Sequence, residues 1–365
     1  MMISIKIARR IMFSFVPALL IGCGGGSGSG GGTAVNSPAQ VVPAPTPTPP
    51  ETVADLPAPA AAPPGPDFHP TDKGWVPVWS DDFNSGTLDP TKWEAEVSCW
   101  GGGNNERQCY TGRERNVEIV NGLLRLVAYP ETFTGPEFPQ DWDNRGGQIT
   151  QSYTSGKVRT VGLADWKYGR FEARMKLPQG QGTWPAFWMM PADSVYGTWP
   201  LSGEIDIMES VNIGAACSDC EGSTTENRSS GAIHFGSASP NNQFVTAKNT
   251  LPGGAAGVDA YHVFALEWGE GRINWFVDDV MYQTRTIDDW YTDGVSEDDN
   301  PYAPFDQNFY VMLNMAVGGN FPDNTNEQRF EPDSFPAQLL IDWVRIYQCE
   351  FDGTSGLACM QNAAE

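Results

Sequence analysis

The chain predicts an all-β protein, a single sandwich or jelly roll over residues 71–349, and three observations carry that prediction. From about Gly74 onward, short runs alternate apolar and polar residues and are broken by Gly, Asn and Asp, the signature of strands and turns. No window of useful length has helical periodicity. Glycine (40) and proline (29) are abundant and 13 tryptophans are present, which suits many short strands packed on aromatic side chains. There is no internal repeat.

The clearest strands are Leu123 to Tyr129, Lys157 to Val161, Arg170 to Leu177, His262 to Trp268, Arg272 to Val277 and Leu339 to Tyr347. Glu267 to Arg272 reads as a hairpin turn, and Val277-Asp278-Asp279-Val280 as a second. Two stretches read as insertions, which either shape a binding cleft or only decorate the sandwich. Ile213 to Ser230 is small and polar, and Ile287 to Asp306 is acidic.

The first residues are of another kind. Lys6, Arg9 and Arg10 precede an apolar run from Ile11 to Ile21, too short to span a bilayer, which ends in Leu20-Ile21-Gly22-Cys23. This resembles a bacterial lipoprotein signal, implying a signal peptide over 1–22 and a lipid on the Cys23 thiol. Residues 23–70 are Gly/Ser-rich and then Pro/Ala-rich, cannot bury a core, and read as a spacer from the membrane. The expected location is therefore an exported lipoprotein, at the outer membrane or cell surface. Residues 350–365 read as a C-terminal tail.

With 22 basic against 45 acidic residues the net charge is −23. Such a surface repels phosphates, so nucleic acid is excluded as a partner, whereas a neutral polysaccharide is indifferent to it. The chain is expected to be a monomer.

Chemistry concentrates at residues 202–211, Ser-Gly-Glu-Ile-Asp-Ile-Met-Glu-Ser-Val. Strand alternation puts Glu204 and Asp206 on one face and Ile205 and Ile207 on the other. Glu209 has the wrong parity, and a one-residue bulge near Ile207–Met208 restores it to the carboxylate face. Glu204 and Glu209 then lie about four strand steps apart, ~13 Å between Cα atoms. Side chains leaning inward bring the carboxyls to ~5 Å, the separation of a retaining glycosidase. A calcium-binding or merely solvated acidic strand shares the pattern.

Further along, Gly203 to Glu209 resembles the active-site strand of glycoside hydrolase family 16 in its bulged, laminarinase-like form. The likeness extends over most of residues 78–348. It rests on Tyr168 to Arg174, Gly182 to Trp188, Gly103-Asn104-Asn105-Glu106, Asn314 to Asn320 and Ile341 to Tyr347, in that family's order. The resemblance implies a jelly-roll β-sandwich of two antiparallel sheets with a concave substrate cleft. It also implies endo-hydrolysis of β-1,3-glucan, with mixed-linkage glucan as a further substrate. Glu204 would be the nucleophile, Glu209 the acid/base and Asp206 the auxiliary carboxylate between them. A marine galactan such as agar or carrageenan is the alternative substrate, and a glucan-binding or transglycosylating relative the alternative activity.

Trp184 and Trp199 are the expected sugar platforms, with Trp188, Asn104 and His234 as further cleft candidates. Core packing accounts for any one of these tryptophans as readily, and a lone His on a strand is more often structural. Arg107, beside the Asn-Asn-Glu motif, reads equally as a ligand contact or a surface charge. No cofactor is expected for catalysis. The three His, at 69, 234 and 262, are too dispersed for a His-based metal site. The family resemblance implies a structural calcium at Asp82, the Gly122 carbonyl and Asp342, although Asp82 stands where relatives commonly have Glu. Of seven Cys, Cys23 is assigned to the lipid and six remain. Proximity in sequence pairs Cys99 with Cys109, Cys217 with Cys220 and Cys349 with Cys359.

Overall fold

The computed structural model describes residues 54–65, 70–326 and 329–361. The signal segment, Cys23 and most of the spacer lie outside the described residues. Two antiparallel sheets dominate. The back sheet runs Val280–Thr286, Arg272–Val277, Tyr261–Gly269, Gly169–Lys176, Ala337–Cys349, Leu123–Ala128, Val117–Val120, with Trp75–Asp81 also paired to Ala337–Cys349. The cleft sheet runs Asn242–Thr250, Arg228–Gly236, Glu204–Glu209, Thr183–Pro191, Phe309–Val317, Lys157–Arg159, Glu94–Ala95. This is the expected jelly-roll sandwich, and all six strands read from the sequence are present within a few residues of their expected ends.

Alternation explains the core. Phe171, Ala173 and Met175 of the back sheet and Ile205, Phe187, Met189 and Leu313 of the cleft sheet are buried in one cluster. Both hairpins formed. Asp278 and Asp279 have φ of 48° and 61°, the two left-handed residues a tight two-residue turn demands. The acidic insertion at 287–306 is more than decoration, since Trp290 and Phe305 pack edge-to-face inside the core cluster.

One charge cluster is wholly internal. Arg170 donates to Glu172 at 2.5 Å and to Glu267 at 2.9 Å, and all three are buried. Trp75 donates its indole N–H to Glu267 Oε1, and the Gln361 amide donates to Glu267 Oε2. Residues 350–361 of the expected tail are thus part of the domain: Cys359 is bonded to Cys349, and Met360 packs with Trp75 and Tyr347. The other two disulfides are also those expected, Cys99–Cys109 and Cys217–Cys220.

The distal end of the expected spacer is docked as well. Residues 54–65 run along the back sheet: the Leu56 amide donates to Tyr129 Oη, and Arg125 donates to the Leu56 carbonyl. Asn121 and Arg174 donate to the carbonyls of Pro59 and Pro63, and Asp55 pairs with Arg115. A Pro/Ala-rich segment buries little apolar area, but it has carbonyls that no sheet uses, and arginines on the sheet satisfy them.

Candidate active site

The strand Glu204–Glu209 pairs on one side with Thr183–Pro191 and on the other with Arg228–Gly236. Opposite Thr183–Pro191, Met208 faces Phe187 and Asp206 faces Trp188, so Ile207 is the extra residue of a bulge. Ile207 and Met208 are both buried in the core, and Glu209 returns to the face of Glu204 and Asp206. The bulge read from parity is therefore present where it was expected.

The back sheet holds that bulge in place. Buried Trp275 donates its indole N–H to the Asp206 carbonyl at 2.8 Å. Its ring passes beside Gly231 on the neighbouring strand, where an added Cβ would lie 2.2 Å from the ring. Only glycine admits this approach. Neither Trp275 nor Gly231 was marked by the sequence, because contacts between sheets leave no local pattern.

Around the carboxylates three indole N–H groups have acceptors, whereas His234 Nδ1 is buried without a hydrogen-bond partner. Trp199 donates to Glu204 Oε2 at 2.7 Å, and Trp184 donates to Glu209 Oε1 at 2.9 Å. Both tryptophans thus stand in the cleft, as expected, and they also grip the two glutamates. His234 lies opposite Glu204 in register, its Nε2 3.7 Å from Glu204 Oε1 and 3.3 Å from Asp206 Oδ2. Trp188 faces Asp206 and donates to Asn314 Oδ1 at 2.6 Å. Asn314 donates to Tyr110 Oη, and Tyr110 and Gln108 donate to buried Glu106. This supporting chain includes Glu106 and Asn314, which the family motifs contained but to which no role had been attached.

The remaining expected residues sit as follows. Asn104 is exposed, and its carbonyl accepts from the Asn320 amide. Arg107 is clamped by two hydrogen bonds to Asp323 and covers the Phe330 ring, which makes it a structural residue. Asp82 pairs with Arg345, Asp342 pairs with Arg174, and Gly122 occupies the left-handed turn between Val117–Val120 and Leu123–Ala128. Two carboxylates that both face guanidinium groups do not fit a calcium cradle.

Electrostatics differentiates the carboxylates. Burial, reinforced by the charges of Glu204 and Glu209, holds the Asp206 carboxyl well above the usual range. Burial likewise raises Glu209 to about 7, against the opposing pull of His234 and the Trp184 indole. Burial lowers the His234 imidazole, but Glu204, Asp206 and Glu209 outweigh it and raise it to about 10. The cluster therefore holds an imidazole biased towards its cation, an Asp206 biased towards its neutral form and a Glu209 poised to give or take a proton. That is an acid/base pair of the kind a glycosidic bond requires.

An antiparallel sandwich with two glutamates flanking an aspartate on a bulged strand defines a glycoside hydrolase. The family profile described as "Beta-porphyranase A-D, GH16 domain" matches residues 75–349. The chain is 40 % identical over 279 residues to a glucan endo-1,3-beta-glucosidase A1 of Niallia circulans, spanning 74 % of this chain and 37 % of that protein. It is 38 % identical over 282 residues to a beta-glucanase of Rhodothermus marinus, spanning 75 % of this chain and 85 % of the relative. The X-ray structure of the laminarinase from Rhodothermus marinus superposes with a TM-score of 0.58 at 35 % identity, covering 75 % of this chain and 97 % of that one. This chain belongs to glycoside hydrolase family 16.

Proposed function

We propose that this protein is a retaining endo-glycosidase that hydrolyses β-1,3-glucan, with mixed-linkage β-1,3/1,4-glucan as a further substrate. One observation carries the reading. A complete Glu204–Asp206–Glu209 set on a bulged strand occurs in a chain 38–40 % identical to proteins named for glucan hydrolysis. In the first step the Glu204 carboxylate bonds to the anomeric carbon as the glycosidic bond breaks. The Glu209 proton passes to the departing oxygen. In the second step water attacks that carbon, its proton returns to Glu209, and Glu204 is released. His234 lies beside both Glu204 and Asp206 and supplies positive charge next to the nucleophile.

A galactan substrate is the second reading, favoured by the porphyranase description of the matching profile. Charge opposes it, because a sulfated polymer needs unspent cations in the cleft. Lys157 and Arg159 are already paired with Glu96, Arg228 with Glu226, and Arg107 with Asp323, which leaves Lys248 beside Glu209 as a cation outside these pairs. We further propose that Cys23 carries a lipid and that the domain works as an exported, membrane-anchored monomer. The short apolar run before Gly22-Cys23 supports this. The test is a product profile on laminarin, mixed-linkage glucan, agarose, carrageenan and porphyran, with Glu204→Gln as control. Laminarin cleavage to oligosaccharides, lost in the control, is expected; cleavage of a galactan alone would overturn the substrate assignment.

A further inference from the structure

The edge strand Asn242–Thr250 carries a side chain that its own pattern does not explain. Its core-facing positions include Val245, which packs on the core, while Phe244, Thr246, Lys248 and Thr250 point to solvent. An edge strand turned to water is ordinarily polar on that side, since exposed apolar edges invite aggregation. Thr246, Lys248 and Thr250 obey, whereas Phe244 is 60 % exposed.

Register gives Phe244 a context. It pairs with His234, and His234 pairs with Glu204, so all three lie in one row across the cleft sheet. The Phe244 ring stacks on the His234 imidazole, with centroids 5.5 Å apart and planes 24° apart. On its other side His234 meets Trp199 at 5.9 Å, and Trp199 is itself 40 % exposed and bonded to the nucleophile. Trp199, His234 and Phe244 thus form a run of neighbouring rings that starts at Glu204 and ends at the sheet edge. Neighbouring strands are ~4.8 Å apart, so the ring lies ~10 Å across the sheet from the catalytic strand.

We propose that Phe244 is a substrate-binding residue, an aromatic platform on which a sugar ring of the β-glucan chain stacks beyond the one held at Glu204. It makes the cleft longer than the catalytic tryptophans alone define, and it adds binding energy only for chains long enough to reach it. The inference rests on the β-1,3-glucan reading and deepens it. The rival role for the ring is a lid that keeps water from His234. A lid would act equally on all substrates and would change the pH profile.

Phe244→Ala and Phe244→Trp separate these roles, measured on a ladder of β-1,3-gluco-oligosaccharides from the trimer upward and on laminarin. For Phe244→Ala we expect KM to rise about 3- to 10-fold on laminarin and the longer oligomers, as for loss of one aromatic stacking contact. We expect the rise to grow with oligomer length and to be smallest for the trimer, with a displaced cleavage position on the longer oligomers and recovery in Phe244→Trp. Equal KM values for wild type and Phe244→Ala at every length would overturn the platform. So would a loss that is uniform in length and accompanied by a moved pH limb. If wild type spares β-1,3-glucan altogether, the substrate reading fails, and the same variants are compared on oligomers of the polymer it does cut. Length-dependent loss there upholds the platform, and its absence overturns it.

Discussion

Replacing Trp184 by Phe should make the enzyme active to higher pH. The indole N–H donates to Glu209 Oε1 at 2.9 Å, and phenylalanine keeps the ring while removing that donor. The hydrogen bond favours the ionised carboxylate, so its loss disfavours ionisation and raises the Glu209 pKa from about 7. A hydrogen bond to a charged group contributes about 1.5–3 kcal/mol. The neutral carboxyl also accepts from the indole and keeps part of this, which leaves a difference of about 1.4 kcal/mol, or about one pH unit. Glycosidic cleavage needs Glu209 protonated, so the alkaline limb of kcat/KM should move from near its wild-type position at about pH 7 upward by about one unit. The assay is the pH dependence of kcat/KM on laminarin for both proteins. An unmoved limb, or one displaced to lower pH, would refute the assignment of that limb to a Trp184-bonded Glu209.

Gly231→Ala is expected to push Trp275 off the Asp206 carbonyl, costing about 1–3 kcal/mol of stability and lowering kcat more than it raises KM. Urea unfolding and steady-state kinetics on one preparation read both. Arg170→Met leaves Glu172 and Glu267 buried without their cation and should cost about 3–5 kcal/mol, measured as a lowered urea midpoint. Deleting residues 54–65 removes several partly exposed polar contacts from the back sheet, far in the fold from Glu204. A Tm lower by about 2–4 °C with unchanged kcat is expected, read by calorimetry and by laminarin turnover.

The bulged strand Glu204–Glu209 was legible from its sequence because parity is a strict rule. Three carboxylates at 204, 206 and 209 cannot share a face without an extra residue, and the structure places that residue at Ile207. Trp184 and Trp199 were legible as cleft residues through family likeness, but their grip on the glutamates was not, since it depends on where indole edges fall in space. Trp275 and Gly231 were illegible for a related reason: their contact joins residues from different sheets. Composition misled at both ends of the domain. A Pro/Ala-rich stretch cannot bury a core, yet its carbonyls dock residues 54–65 on arginines, and the tail is fastened through Cys359 and Gln361. Arg107 and the calcium residues show the limit of motif reading, because an ion pair formed with a distant partner changes what a charged side chain can do.

The most direct test of double displacement on Glu204 is to trap the glycosyl-enzyme with a slow, activated 2-fluoro-β-glucoside extended by β-1,3-linked glucose. The labelled peptide is then sequenced by mass spectrometry. The expected result is one sugar adduct on Glu204, formed with release of the leaving group and absent in Glu204→Gln. An adduct on Asp206 or Glu209, or turnover without any adduct and with inverted anomeric configuration, would contradict it.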